Sequence, residues 1–201
     1  RVNEIDFAAL NGFNTPDWPN AFAGILSADL PALPTGKWSV VTIHRCNPAA
    51  TGNVLPWGLH FNANATPVTI IARPYSTTTP RLSFVDSIAG TDSETGSTNP
   101  VLAGATKGAV VLEMACIDFA TEDYFMSLDG GQTFAAGTMN NLSLANANTF
   151  KVVIGKGPKT GGSCFYGQIP DVMIFAGDIT ARSDFRAALR AYAAAAWGWA
   201  G

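Results

Sequence analysis

Glu113 and Asp118 stand in one apolar stretch, Ala109 to Phe119. Two carboxylates on one strand face are what acid and nucleophile chemistry on a glycosidic bond would require. These two are five residues apart, so a regular strand points them to opposite faces. The pair therefore predicts no hydrolase, and Glu113 is expected at a strand surface or in a pair. His44 and His60, the two histidines, each sit in a strand pattern and read as core or surface residues rather than ligands. No His-x-x-x-His and no Gly-x-Ser-x-Gly occurs, which leaves metal pairs and nucleophile elbows without a sequence basis. Cys46, Cys116 and Cys164 contain no Cys-x-x-Cys, against a structural zinc site. Cys116 lies in an apolar strand pattern and reads as a buried free thiol. Cys46 and Cys164 fall near strand ends, and a disulfide between them stays open. What remains is recognition by stacking, in which an exposed aromatic ring flanked by amides and carboxylates holds a sugar face. Trp57, beside the Asn47–Asn53 loop, and Tyr75, before a polar run, are the leading rings, with Asn53 and Asp86 as polar partners and Trp18 third. Core packing or loop anchoring is the competing reading of each ring, and Trp38, mid-strand, reads as core.

The elements that must position these groups are strands. Lys37–Cys46 is the clearest: Trp38, Val40, Thr42 and His44 share one face, Val41 and Ile43 the other, and apolar residues on both faces predict a central strand. Val2–Phe7, Phe22–Leu26, Trp57–Phe61, Val68–Ala72, Leu82–Val85, Ala109–Phe119, Tyr124–Leu128, a return strand from Phe134, and Phe150–Ile154 follow the same alternation. Asn11–Pro19 is turn-rich. Asp86–Gly104 is the longest polar stretch and reads as a loop, functional or disordered at that length. Phe165, Gly167 and Ile169 share a strand face, and the apolar phase shifts by one after Pro170, which predicts a β-bulge. Thr180 or Ser183 can cap the helix that follows. Its stripe is Phe185, Ala188, Leu189, Tyr192 and Ala196, with Arg182, Arg186 and Arg190 off it and Gly198 as its stop. The helix is expected to lie over a sheet or over its open end.

The chain has 201 residues, 47% hydrophobic and 13% charged, which suits one domain, 1–201, with a sizeable core. Strands at short spacing with no helical pattern before the last stretch predict an antiparallel β-sandwich of jelly-roll type with one C-terminal α-helix, about 181–197. A net charge of −3 gives no basic footprint, so nucleic acid is not an expected partner. No apolar run reaches membrane-spanning length, so no membrane insertion is expected. The chain begins at Arg1, which reads as a processed product or an excised piece of a longer chain. Low charge with many Ala, Gly, Thr and Asn leans towards an extracellular or virion protein. Asn64-Ala-Thr66 and Asn141-Leu-Ser143 match the glycosylation sequon, which has meaning only in a host that reads it.

Two resemblances add to this reading. The end of the chain runs strand, Ile154-Gly155, loop, Phe165-x-Gly167-x-Ile169, Val172-x-Ile174-Phe175, polar turn, then a helix carrying Tyr192, Ala193, Trp197 and Gly198. It resembles the end of a laminin-G-like, concanavalin A-like lectin and glucanase domain, with Ala193 where Leu is common. The resemblance implies a non-catalytic module that binds glycan on a cell surface, in an extracellular protein or a phage fibre or spike. A structural virion protein making protein–protein contacts is the alternative. It also implies calcium held by loop carboxylates and carbonyls as an option, with Asp92 and Glu94 the candidate ligands. The glucanase relatives carry a Glu-x-Asp strand motif that is missing here, so the glycosidase reading is disfavoured. Separately, Ser127-Leu-Asp129-Gly-Gly131-Gln-Thr133-Phe134 resembles an Asp-box, with Phe for Trp. Physically it is a hairpin turn: Asp129 can accept from the turn's own N–H groups, the glycines allow φ > 0, and the aromatic packs beneath. A structural role is expected for it, not a sialidase one.

Overall fold

The computed structural model describes residues 6–10, 13–18, 25–26, 35–50, 54–63, 68–75, 81–88, 91–95, 105–138, 147–155 and 165–201. Asn53, Cys164 and both sequon asparagines lie outside them. The strands, in chain order, are β1 Asp6–Leu10, β2 Phe13–Trp18, β3 Ile25–Leu26, β4 Lys37–Cys46, β5 Trp57–Ala63, β6 Val68–Arg73, β7 Arg81–Ile88, β8 Thr91–Thr95, β9 Val110–Asp118, β10 Asp123–Ser127, β11 Ala135–Thr138, β12 Ala147–Ile154 and β13 Gly167–Ala176. A 3-10 turn, Ile179–Ala181, leads into helix α1, Ser183–Trp197. The strands form a seven-stranded sheet, β1-β2-β13-β4-β9-β10-β11, and a six-stranded sheet, β3-β12-β5-β6-β7-β8. Neighbouring strands run antiparallel, for example β4 with β9 and β13, and β5 with β6 and β12.

The alternation in β4 sets the layering. Val40 joins Trp57, Leu59, Phe61, Ile70, Ala115, Ile117, Tyr124 and Phe150 in the core between the sheets. Val41 and Ile43 point the other way and meet the helix. This is why both faces of β4 are apolar: one closes the sandwich and the other receives α1. The bulge beside Pro170 is present, as a register shift between Gln168 and Asp171 on β13.

Three readings change. Phe13–Trp18 is a strand, not a turn-rich connector; Pro16 pairs with Phe7 of β1, while β13 meets β2 only at Asp17 and Trp18, so the missing proline N–H is not needed by β13. Asp86–Gly104 is not one loop, because β7 runs to Ile88 and β8 pairs with it as the outer strand of the six-stranded sheet. Polar residues suit such an edge, which is why its composition reads as a loop. The third concerns α1. Leu189 and Ala193 are buried, whereas Ala188 and Tyr192 are exposed, so the seam is rotated towards Arg186 and Arg190. Arg186 donates to the Ile179 and Thr180 carbonyls and lies over the Phe134 ring, 5.5 Å from its centroid. Arg190 donates to the Gly130 carbonyl at 3.0 Å. Their stems cover apolar surface and their heads bond carbonyls at the seam's edge. The helix begins at Arg182 with no side-chain cap; Asp178 instead caps the 3-10 turn, accepting from Thr180 N–H at 2.9 Å. Gly198, at φ 72°, ends it.

The Ser127–Phe134 turn is the seat of that helix. Asp129 Oδ1 accepts from the N–H groups of Gln132 and Thr133, both at 3.0 Å, and from Ser127 Oγ at 2.6 Å. Gly131 has φ 75°, and a Cβ there would press on Arg186 and on the Met114 sulfur. Tyr192 Oη and Trp197 Nε1 both donate to Asp171 Oδ2, at 2.8 and 2.6 Å, which ties the second half of the helix to β13.

Candidate functional site

Where β4 ends and β13 begins, a cleft of about 170 Å³ is lined by Arg45, Cys46, Asn47, Pro48, Gly167 and Gln168. The local chain explains the hollow. Gly167 has φ 143°, and a Cβ there would overlap the Arg45 carbonyl, so only glycine lets the two strands approach. Asn47 N–H donates to the Tyr166 carbonyl at 2.8 Å, and Asn47 Oδ1 accepts from Ala49 N–H at 2.9 Å. The loop is thereby folded back and leaves the Asn47 amide NH₂ as a donor. Arg45 Nε donates to the Gly108 carbonyl at 3.0 Å, and Lys107 Nζ to the Ala50 carbonyl at 2.6 Å. The Cys46 thiol is pushed up to about 11, by burial first, with the charge of Lys107 pulling the other way. It is therefore protonated and unreactive.

One layer below lies a dry polar network. Trp57 Nε1 donates to Glu113 Oε1 at 2.8 Å, His44 Nε2 lies 3.0 Å from Glu113 Oε2, and His44 Nδ1 lies 2.8 Å from Tyr75 Oη. Trp57, His44 and Glu113 have no exposed surface, and Tyr75 has 5%. Phe165 packs against both the His44 and Tyr75 rings. Burial above all raises the Tyr75 phenol well above its usual value, and the Cys46 backbone N–H also faces its oxygen. The phenol thus keeps its proton, and its O–H can donate a hydrogen bond to His44 Nδ1. In that arrangement His44 donates through Nε2–H to Glu113 Oε2, and Glu113 Oε1 accepts from Trp57. Every donor and acceptor of the network is paired in that arrangement, as a dry interior requires.

Trp57 and Tyr75 therefore cannot stack on a sugar, which corrects their reading as exposed rings. Trp57 opens β5 on the inward face, and its N–H needs a buried acceptor, which Glu113 supplies from the facing sheet. Glu113 is paired rather than at the surface, and Asp118 is far from it in role, accepting from Ala120 N–H at 3.0 Å. The signal that sequence reasoning passed over was a carboxylate and an imidazole, each on the inward face of an apolar strand: such groups are buried only in company. Asp86 lies in register with Val68 and Ser93, in the row of Phe61 and Phe150, away from the cleft. Asp92 and Glu94 are in β8, a paired strand rather than a loop. Among the described residues no group of three or more His, Cys, Asp or Glu is gathered that could hold a metal ion. No helix of the described residues is long and apolar enough to cross a membrane.

No family model matches the chain, and no curated protein matches it in sequence. Solved structures align with it at low sequence identity. The enzymatically active domain of bacteriophage CBA120 tailspike protein 2 aligns with 85% of this chain and 27% of its own, at TM-score 0.52 and 9% identity. A heptameric SAP-like pentraxin from Limulus polyphemus aligns over 79% of this chain and 73% of its own, at TM-score 0.48 and 13% identity. A tetrameric galectin from the ball sponge Cinachyrella sp. aligns over 76% and 99%, at TM-score 0.45 and 10% identity. The chain spans about a quarter of the tailspike it matches. The architecture is an antiparallel β-sandwich of a seven-stranded and a six-stranded sheet with one C-terminal helix.

Proposed function

We propose that this chain is a non-catalytic recognition module that binds glycan in the β4–β13 cleft, as part of an extracellular or virion assembly such as a phage fibre or spike. The cleft carries the reading. It is concave, about the size of a single sugar ring, and offers a guanidinium and an amide, from Arg45 and Asn47, around a glycine-made hollow. The fold shared with a phage tailspike supports the setting. The reading is non-catalytic because Glu113 and His44, fully buried, direct their hydrogen bonds at each other and at Trp57 and Tyr75. A shallow site of this kind binds weakly, with dissociation constants near about 1 mM, so several copies on one particle would supply the avidity. A glycan array tests it. Pro48→Trp, which fills the cleft from an exposed position, should abolish the array signal and leave the melting temperature within about 2 °C. An array without hits, or a signal indifferent to Pro48→Trp, rejects the site.

The burial of Trp57 and Tyr75 favours a second reading, a structural virion protein that uses its surface for protein contacts. A stable trimer or larger by native mass, together with a clean array, is the outcome that selects it.

A further inference from the structure

We propose that the β4–β13 cleft selects sugars that carry a carboxylate, an inference that rests on the glycan reading above. Arg45 is fixed through Nε on the Gly108 carbonyl, and its two terminal nitrogens have no acceptor among the described residues. Lys107, on the neighbouring loop, is fixed on the Ala50 carbonyl. Among the described residues neither cation has a carboxylate partner, whereas Lys37 and Arg182 each pair with an aspartate. On a chain of net charge −3, Arg45 in the cleft and Lys107 on the neighbouring loop, unpaired with any carboxylate among the described residues, form a local exception to the overall sign. Among the described residues no acidic side chain lines the hollow.

The geometry favours a planar anion over a generic one. A guanidinium held at Nε presents its remaining N–H groups as a rigid fork, which matches the two oxygens of a carboxylate bidentately, while an ammonium acts as a point charge. The Asn47 NH₂, at the same hollow, suits a neutral hydroxyl of the ring that bears the acid. Cys46 adds no reactivity, since its thiol stays protonated. Arg45 would therefore orient the sugar through its acid group, and Lys107 would draw it in from solution.

The test uses the whole chain and a panel of uronic and nonulosonic acid oligosaccharides, each beside its carboxyl methyl ester, with sulfated neutral oligosaccharides as a third arm. Titration calorimetry should find the free acids at least about tenfold tighter than their esters, and the sulfated sugars weaker than the free acids. Arg45→Gln should lose about tenfold or more on the acids, Arg45→Lys should recover little of it, and Lys107→Met should chiefly flatten the salt dependence. The ester comparison needs no variant, so it stands even if Arg45→Gln disturbs the Gly108 loop. Acids and esters binding alike overturns the carboxylate assignment and leaves glycan recognition intact. Sulfated sugars binding as tightly as the acids overturns it in favour of bare charge recognition. No binding by any glycan, charged or neutral, removes the glycan reading as well.

Discussion

Glu113→Gln is the sharpest probe of the buried network, because it changes one atom and the structure fixes the consequence. The carboxylate accepts from Trp57 Nε1 on one oxygen and from His44 Nε2 on the other. An amide can keep only one of those roles. With its oxygen on Trp57, its NH₂ must donate to His44 Nε2, which moves the imidazole proton to Nδ1. The Tyr75 oxygen then faces Nδ1–H and the Cys46 N–H, and its own hydrogen has no acceptor. With the amide turned over, NH₂ meets the Trp57 N–H head-on. Either way at least one buried hydrogen is left unpaired, at a cost of about 1–3 kcal/mol. Glu113→Ala leaves both donors unpaired and opens a hole, and should cost about 3–5 kcal/mol. Urea unfolding followed by far-ultraviolet circular dichroism at neutral pH reads both. Nitrogen-15 spectra of the wild-type imidazole should show the proton on Nε2. A Glu113→Gln variant as stable as wild type, or a wild-type proton found on Nδ1, would refute the assignment.

Three further outcomes follow from the helix and its seat. Leu189→Ala, at a site 5% exposed, should cost about 2–5 kcal/mol, and an unchanged melting temperature would mean that α1 is not docked on the sheet. Asp129→Ala should lower stability by about 1–2 kcal/mol through the lost bonds to Ser127, Gln132 and Thr133 while leaving any glycan signal intact; loss of the signal at full stability would make the turn a binding site. For Asp178, burial raises the carboxyl but the bonds from Lys37 and Thr180 prevail and hold it at about 2. Its contribution is fully present above the unfolded value of about 3.9 and is lost as pH falls through about 2, and solvent screening limits it to about 1 kcal/mol. Asp178→Asn should therefore flatten the fall in melting temperature between about pH 4 and 2, and an identical slope would rule the aspartate out.

The sandwich was legible because strand alternation is local. Lys37–Cys46 shows its two apolar faces in ten consecutive residues, and the structure places that strand with the predicted bounds. The helix was legible in extent but not in face. Arg186 and Arg190 carry charge, which reads as solvent-facing, yet their partners are carbonyls at Ile179, Thr180 and Gly130 that only the folded chain brings near. The cleft was half legible. Asn47 begins the loop singled out beside Trp57, but Arg45 and Gln168 meet only through the β4–β13 pairing, 123 positions apart in sequence. Trp57 was misread for the same reason: its acceptor, Glu113, is 56 residues away. Polar edge strands such as β8 share their composition with loops, and only pairing separates the two.

The placement of β13 bears on how the chain must be made. In the seven-stranded sheet this last strand lies between β2 and β4, so the β1–β2 hairpin joins the remaining strands only through it. β12 plays the same part in the other sheet, between β3 and β5. A chain emerging from the ribosome therefore holds its N-terminal hairpin unattached until residues 167–176 have left the exit tunnel. Both sheets wait for late strands to be threaded between earlier ones, which is the long-range pairing that slows β-sandwich folding. In the interval the inner edges of β2 and β4 stand open to strands of other nascent chains. On a polysome crowded with identical copies, a slowly translated C-terminal segment would lengthen that exposure and lower the yield of folded protein, with no change in the stability of the finished molecule.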